Sequence, residues 1–395
     1  MMYCDALPRV AALRDGPSPD MSTARTAQQT TITVLIPAHN EEDQISAAIA
    51  SVRNQTRHVD EVIVMADNCT DRTVEVAQAA GATVVETVAN SHKKAGALNQ
   101  ALDALLPHAD VHDQILVMDA DSFLDPTFAE VASSWLAREN GQRYGGIGGT
   151  FRGRRDAKAP TSKIRRMLTW WVETVQCNEY ARYGRDVKRK SGKVLVLTGT
   201  AALFSAAALR DVVAARRDGR LPCADRDAPQ VYDTSVLTED NELTLALMHL
   251  GRQVRSPRGC TLTTEVMPSW RTLYLQRLRW KRGAMENLVQ YGLTRVTAKY
   301  WGYQIVTFVG VAVTAAYLCG IALSLTVDHA ISLRPVWLAI TAIFIAERIV
   351  TVRARGWRQM LVAATLLPEM VFDIFLQATH TKALADALRG KSRHW

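Results

Sequence analysis

Apolar residues in the first two thirds of the chain come in short continuous runs. Each run is closed by a cluster of small, polar or acidic residues. Runs at 31–38 (TITVLIPA), 60–66 (DEVIVMA), 82–88 (ATVVETV) and 114–118 (QILVM) read as buried strands. A strand covered on both faces is hydrophobic without alternation. Helical stretches separate them: one to about Asn54 with Asn40 as its cap, one to Ala79 capped by Thr70 or Asp71, and one opening at Lys93-Lys94-Ala95-Gly96-Ala97-Leu98-Asn99. Strand and helix in alternation predict right-handed βαβ units, hence an α/β domain with a mostly parallel sheet and helices on both faces. The order then loosens. A helix over 125–138, a Gly-rich strand over 144–151 and a long helix over 161–183 come first. Apolar segments over 194–204 follow, with Gly199-Thr200 in a loop, then a helix beginning at Thr238-Glu239-Asp240, two short strands in 252–266 and a helix over 269–291.

Past Trp301 the pattern changes. Residues 304–327 carry no charge, and about 20 helical residues cross a hydrocarbon core of roughly 30 Å. Residues 335–352 read as a second span with Glu347 and Arg348 near its end, where such charges must snorkel, pair or face protein. Pro368, Glu369 and Asp373 interrupt 360–380, which suits a third span or a re-entrant or interfacial helix. The expected organisation is a disordered leader (1–30, with Met21 a second candidate start), a cytoplasmic catalytic domain (31–268), amphipathic interfacial helices (269–300) and a membrane region with a basic tail (301–395).

Charge refines this picture. The net charge of +8 is clustered, as at Arg185, Lys188, Arg189, Lys190 and Lys193, and at Arg277, Arg279, Lys281 and Arg282. Such clusters suit nucleic acid or an anionic membrane face, and the adjacent apolar spans favour the membrane over nucleic acid. The Arg353–Arg358 loop places the catalytic domain on the cytoplasmic side of a multi-pass membrane protein. Six cysteines without paired spacing exclude a zinc framework and suit a reducing compartment. No G-x-G-x-x-G occurs, so a dehydrogenase-type dinucleotide site is unsupported.

The candidate chemistry centres on Asp119-Ala120-Asp121, at the carboxyl end of the 114–118 run. Ligands gather at such strand ends, and paired carboxylates are hard donors suited to Mg²⁺ or Mn²⁺. A cation there can hold the diphosphate of a nucleotide-activated substrate. Four further signals follow in order: Pro37-Ala38-His39-Asn40-Glu41, Asp67, Thr238-Glu239-Asp240, and Gln276-Arg277-Leu278-Arg279-Trp280. At 100° per residue Gln276, Arg279 and Trp280 share one helix face, with Arg277 and Lys281 on a neighbouring stripe of a basic amphipathic helix that could lie on lipid.

The ordered set resembles the membrane-integrated family 2 glycosyltransferases, the group of cellulose, chitin, hyaluronan and poly-N-acetylglucosamine synthases. The resemblance covers about residues 31–300 and rests most on the Q-x-x-R-W pentad. It implies a GT-A nucleotide-sugar-binding domain and inverting transfer from a UDP-sugar. By the same resemblance Ala38, Asn40 and Glu41 meet the nucleotide, Asp67 its uracil and ribose side, Lys94 the diphosphate, and Asp119 with Asp121 the nucleotide and cation. Gly199 and Thr200 line the acceptor site, Asp240 is the general base with Glu239 beside it, and Gln276, Arg279 and Trp280 form the floor where diphosphate and acceptor meet. The chain departs from the pattern in lacking N-terminal spans and in its short membrane part, so either oligomerisation supplies a polymer channel or the product is not a long polymer. The expected activity is synthesis or extension of a β-linked glycan at the cytoplasmic membrane face. The alternatives are transfer of one sugar to a polyprenyl phosphate or another lipid, and a catalytically silent nucleotide-binding scaffold.

Overall fold

The computed structural model describes residues 30–138, 143–155, 162–327, 335–353, 356–365 and 367–389. The predicted leader, apart from Thr30, lies outside the described residues. The chain divides into two compact units, one of residues 1–154 and 186–265, the other of residues 155–185 and 266–395.

The first unit is built on a seven-stranded sheet. Its strands are β1 (Ile32–Ala38), β2 (Glu61–Ala66), β3 (Thr83–Glu86), β4 (Gln114–Met118), β6 (Tyr144–Gly148), β8 (Ala201–Ser205) and β9 (Gln253–Arg255), in the spatial order β3-β2-β1-β4-β8-β6-β9. Strands β3, β2, β1 and β4 pair in parallel, and β8 runs antiparallel to both β4 and β6. The predicted mostly parallel sheet is therefore present, with β8 reversed. Alternate residues of the central strands face opposite layers. Val34, Ile36, Val64 and Leu116 pack on Ile45, Ile49 and Val52 of α1 (Ile45–Arg53) and, across the same layer, with Phe128 and Ala132. On the other face, helix α3 (Lys93–Leu105) covers β1 and β2 with Ala97, Leu98, Ala101 and Leu102, all fully buried. Helix α2 (Thr73–Ala79) and α4 (Phe128–Leu136) complete the first layer.

A second, three-stranded sheet is not legible in the hydrophobic pattern. The predicted 144–151 strand divides at Gly149 into β6 and β7 (Thr150–Arg154), and β7 pairs with β10 (Thr261–Glu265), which also meets β5 (Phe123–Leu124). Strand β5 starts two residues after Asp121, so this small sheet fixes the exit of the acidic turn.

The second unit begins in α5 (Lys163–Arg189), with its residues up to Arg185. Its other helices are α8 (Trp270–Tyr291), α9 (Ala298–Val327), α10 (Pro335–Val352), α11 (Trp357–Ala364) and α12 (Leu367–Leu388); α6 (Ala206–Arg217) and α7 (Glu239–His249) belong to the first unit. Helix α8 is capped by Ser269, whose hydroxyl accepts from the Thr272 N–H at 3.2 Å. Trp171 meets Trp270 edge-on at 5.2 Å, and Trp270 in turn meets Phe375 at 4.9 Å. This tryptophan is thus core packing within the unit. Arg277 and Arg282 are buried, against the lipid-facing reading of the basic helix. Arg277 is paired with Glu179 at 2.7 Å and Arg282 with Glu286 at 2.7 Å. A guanidinium leaves water only with such a partner. Of the three outcomes expected for Glu347 and Arg348, both residues show pairing: Glu347 with Arg185 at 3.0 Å, and Arg348 with Asp373 at 3.0 Å.

Among the described residues one helical stretch, Ala298–Gly320 of α9, is long and apolar enough to cross a membrane; its most apolar 18-residue window has a mean hydropathy of 1.5, and none of that window is buried. Helix α10 matches the predicted 335–352 segment in its bounds.

Candidate active site

The site forms where strands β1, β2 and β4 of the first unit end, on the edge predicted for a parallel sheet. Two crossing loops are laced together there. The Asp67 N–H donates to the Ala38 carbonyl at 2.8 Å, and His39 Nδ1 lies 2.6 Å from the Asp67 carbonyl. Asn40 does not cap α1, which starts five residues later behind Gln44. Instead it takes a left-handed turn, φ 57°, and its side-chain oxygen accepts from the Thr70 N–H at 2.8 Å. Asparagine tolerates that conformation better than other residues with a Cβ. Asp67 is nearly buried, and its Oδ1 accepts from Asn68, Thr87 and Asn90 at 2.8–2.9 Å. Gly96 makes room for this support: a Cβ there would lie 2.0 Å from the Asn90 side-chain oxygen.

Asp119 and Asp121 follow β4 directly. Lys94, from the first turn of α3, reaches Asp119 Oδ1 at 2.5 Å and the Gly199 carbonyl at 2.9 Å, with Glu239 at 4.0 Å. Burial opposes its charge, but Asp119, then Glu239 and Asp240, hold the ammonium above the ordinary lysine value. Asp121 Oδ1 accepts from Ser122 Oγ at 3.0 Å and Thr264 Oγ1 at 3.4 Å. Burial and then Asp119 push its carboxyl up. Glu41 is raised to about 7, by burial first and then by Asp121, Glu265 and Asp119. The turn thus carries more negative charge than its lysine offsets. Among the described residues no three His, Cys, Asp or Glu side chains are grouped to enclose a metal alone. Asp119 and Asp121 would hold a hard divalent cation, since paired carboxylate oxygens suit Mg²⁺ or Mn²⁺.

Asp240 lies in the first turn of α7. Its Oδ2 accepts from the Gly199 N–H at 2.9 Å and its Oδ1 from the Asn241 N–H at 2.8 Å. Burial, then Glu239, raise its carboxyl to about 6, against Lys94 and the two N–H donors. Thr244 ties the helix to the loop: its hydroxyl donates to the Asp240 carbonyl at 2.7 Å and accepts from the Leu197 N–H at 3.0 Å. At Gly199 a Cβ would stand 3.2 Å from both Asp240 Oδ2 and Lys94 Nζ, so a side chain would crowd the junction of loop, base and lysine. Thr200 joins the D-x-D turn through its carbonyl, which accepts from the Asp119 N–H at 3.0 Å.

The first unit therefore brings Ala38, Asn40, Glu41, Asp67, Lys94, Asp119, Asp121, Gly199, Thr200, Glu239 and Asp240 to one region. Gln276, Arg279 and Trp280 stand on α8 in the second unit, where the Arg277 guanidinium lies 4.5 Å from the Trp280 ring. Four residues of the site escaped the sequence reading. Arg154 donates to Gln44 at 2.9 Å and to the Asp121 carbonyl at 3.4 Å, and Glu265 accepts from Gln44 at 3.4 Å. Tyr232 lines a small cavity with Glu239 and Asp240, and Asn99 donates to the Tyr232 carbonyl at 2.8 Å. Of these, only Asn99 sits in a segment that stood out in the sequence.

Comparison with known proteins agrees with this geometry. The profile of glycosyl transferase family 2 matches residues 33–213. The chain is 28% identical over 261 residues to a probable glycosyltransferase, YdaM, of Bacillus subtilis (strain 168), covering 64% of this chain and 54% of that protein. It is 40% identical over 90 residues to a 4,4'-diaponeurosporenoate glycosyltransferase of Staphylococcus aureus (strain USA300), covering 23% and 24%. The chain thus spans about half the length of the first of these curated relatives and a quarter of the second. Among solved structures it is similar to the mannosyltransferase PcManGT from Pyrobaculum calidifontis in complex with GDP-Man and Mn²⁺, with TM-score 0.54 and 17% identity over 98% of this chain and 94% of that one. At that identity the likeness speaks for the fold, which is GT-A-like. The strand-end carboxylates, the mostly parallel sheet and the profile match agree: residues 33–213 are a glycosyltransferase family 2 domain.

Proposed function

We propose that this protein is an inverting glycosyltransferase that moves a sugar from a nucleotide-sugar donor, UDP-linked by the resemblance, to a glycan acceptor at the cytoplasmic face of a membrane. One observation carries the reading. The Asp119–Asp121 turn, Lys94 and the Asp240 carboxylate share a half-buried junction, with Lys94 2.5 Å from Asp119 and Asp240 bonded to the Gly199 loop that Lys94 also holds.

The chemistry follows from the charges. An acceptor hydroxyl attacks the anomeric carbon as the bond to the nucleoside diphosphate breaks. The new C–O bond inverts the centre, the diphosphate leaves with the electron pair, and the hydroxyl proton passes to Asp240. A carboxyl raised to about 6 is a stronger base than a solvated aspartate and is still ionised near neutrality. Asp119 and Asp121 would hold Mg²⁺ or Mn²⁺, which when bound neutralises charge on the leaving diphosphate. Lys94 is aimed into the same region and adds a fixed positive charge. Glu41, Asn40 and Asp67 line the nucleotide side.

A membrane setting is supported by the unburied apolar stretch Ala298–Gly320. The same stretch favours a second reading, transfer of a single sugar to a lipid acceptor, and one relative is named for an acceptor of its own, diaponeurosporenoate.

The deciding experiment screens UDP- and GDP-sugars for nucleoside diphosphate release by the detergent-purified protein with Mn²⁺ or Mg²⁺. A ladder of product lengths supports glycan synthesis, and one organic-extractable adduct supports the lipid acceptor. Failure of every donor overturns the assignment. Asp121→Ala should weaken Mn²⁺-dependent nucleotide binding by tenfold or more, about the loss of one charged ligand; an unchanged titration would remove the aspartate pair from the cation site.

A further inference from the structure

Asp121 is gripped from the small sheet rather than from the strand it follows. Its Oδ1 takes both hydroxyl contacts, from Ser122 at 3.0 Å and Thr264 at 3.4 Å, and among the described residues no donor reaches its Oδ2. Asp119 divides its oxygens in the same way, with Lys94 on Oδ1. Each carboxylate thus has one oxygen tied to protein and one open. Thr264 is buried and stands in β10, 143 positions from Asp121. The neighbouring strand β7, parallel to β10, ends at Arg154. Arg154 Nη2 donates to the Asp121 carbonyl at 3.4 Å, and its guanidinium carbon lies 4.5 Å from the centre of the Phe123 ring, two residues further on. Gln44, just before α1, fastens the arginine. Its Oε1 accepts from Nη2 at 2.9 Å, and its Nε2 donates at 3.4 Å to Glu265, the residue beside Arg154 across the strands. The two contacts to Asp121 are long for hydrogen bonds, so neither fixes the residue alone. A stacked guanidinium and a buried hydroxyl on paired strands restrict it together.

We propose that Thr264 and Arg154 are positioning residues for the cation site: the hydroxyl holds Asp121 Oδ1, which leaves Oδ2 for the metal, and the guanidinium holds the backbone behind it. The proposal rests on the reading of Asp119 and Asp121 as the cation's ligands. Ligating carboxylates are oriented by such outer hydrogen bonds, and losing one costs about 10–100-fold in metal affinity. For Arg154, positioning and charge predict opposite signs. A positive charge beside a cation site repels the cation, so an arginine acting through charge alone would, when removed, let Mn²⁺ bind more tightly. An arginine that positions Asp121 would, when removed, weaken Mn²⁺.

The test uses the full-length protein in detergent, with Mn²⁺ and UDP or GDP as probes. Calorimetry reads the Mn²⁺ concentration that gives half-maximal nucleotide binding, so no turnover is needed. Arg154→Met removes the guanidinium and should raise that concentration about tenfold or more, with nucleotide affinity in the absence of Mn²⁺ unaltered. Arg154→Lys keeps the charge but not the planar fork and stack, and should weaken Mn²⁺ in the same direction; it decides the matter if the methionine variant does not fold. Thr264→Val removes the hydroxyl at nearly constant shape and should also raise the concentration about tenfold, and Thr264→Ser should restore the wild-type value. An unchanged Mn²⁺ requirement in Thr264→Val or in the Arg154 variants overturns the proposal, as does tighter Mn²⁺ in Arg154→Met or a loss shared equally by metal-free nucleotide binding. A wild type that binds nucleotide with Mn²⁺ yet turns over no donor defeats the transfer reading and leaves this proposal standing. Nucleotide binding that is absent from the wild type, or indifferent to Mn²⁺, defeats the cation site and the proposal together.

Discussion

At the residue scale the site is a problem of crowded carboxylates. Asp119, Asp121, Glu41, Glu239 and Asp240 approach one another, and Lys94 offsets only part of their charge. Asp240→Asn keeps the shape and the bond from Gly199 but cannot take a proton. Turnover should fall by about 10²–10⁴-fold, the range for loss of a general base, while calorimetry finds nucleotide binding nearly intact. In the wild type the acid limb should lie near pH 6, since Asp240 works only when ionised. Glu41 has a consequence for stability. Its carboxyl is raised from 4.5 to about 7, so the folded state holds a proton that the unfolded chain releases. That contribution is full below 4.5 and is lost as pH rises towards 7. Glu41→Gln should therefore flatten the decline in melting temperature between pH 5 and 8 in nucleotide-free protein, and an unaltered slope would contradict the shift. The carboxylates were legible in the sequence because each closes an apolar run or opens a helix. Tyr232 was not, because its segment has no period and its hydrogen bond comes from Asn99, 133 positions away.

At the scale of elements, α7 carries the base and must not rock. Its anchor is a fully buried ion pair, Glu242 with Arg216 of α6 at 2.6 Å; the arginine also donates to the Val231 carbonyl at 3.1 Å. One partner removed leaves the other charge buried. Glu242→Gln should cost about 3–5 kcal/mol, read as a large fall in the denaturation midpoint, whereas a surface pair of the same geometry would cost under about 1 kcal/mol. Arg216 lies in a stretch to which the sequence pattern assigned no element, and its burial follows from its bonds to Glu242 of α7 and to the Val231 carbonyl. The strands divide similarly. The runs of β1, β2 and β4 announce themselves, while β5 is two residues long and β7 and β10 each carry a single large apolar side chain, Phe151 and Leu262, so their pairing depends on neighbours.

At the scale of the molecule, the exposed apolar stretch of α9 is the feature that supports the proposed membrane setting. Val306, Val309 and Val313 are 57–68% exposed within a helix of lipid-spanning length. Water cannot stabilise such a surface, whereas a bilayer can. Val309→Arg should disfavour insertion by roughly 2.5–3.5 kcal/mol at a helix centre and shift the protein out of the carbonate-resistant membrane fraction; an unshifted distribution would argue that α9 is covered by protein. By itself the sequence determined the period of each segment, hence the α/β alternation, the mostly parallel sheet, the strand-end position of Asp119 and Asp121, and the apolar stretch. These follow from local pattern and burial, which each segment encodes alone. Only the tertiary structure decided that β8 runs against its neighbours, that Arg277 turns inward to Glu179 and Trp280 rather than outward to lipid, and that Lys94, Gly199 and Asp240 meet. Those outcomes depend on which groups must pair once buried together, and such pairings join residues far apart in the chain.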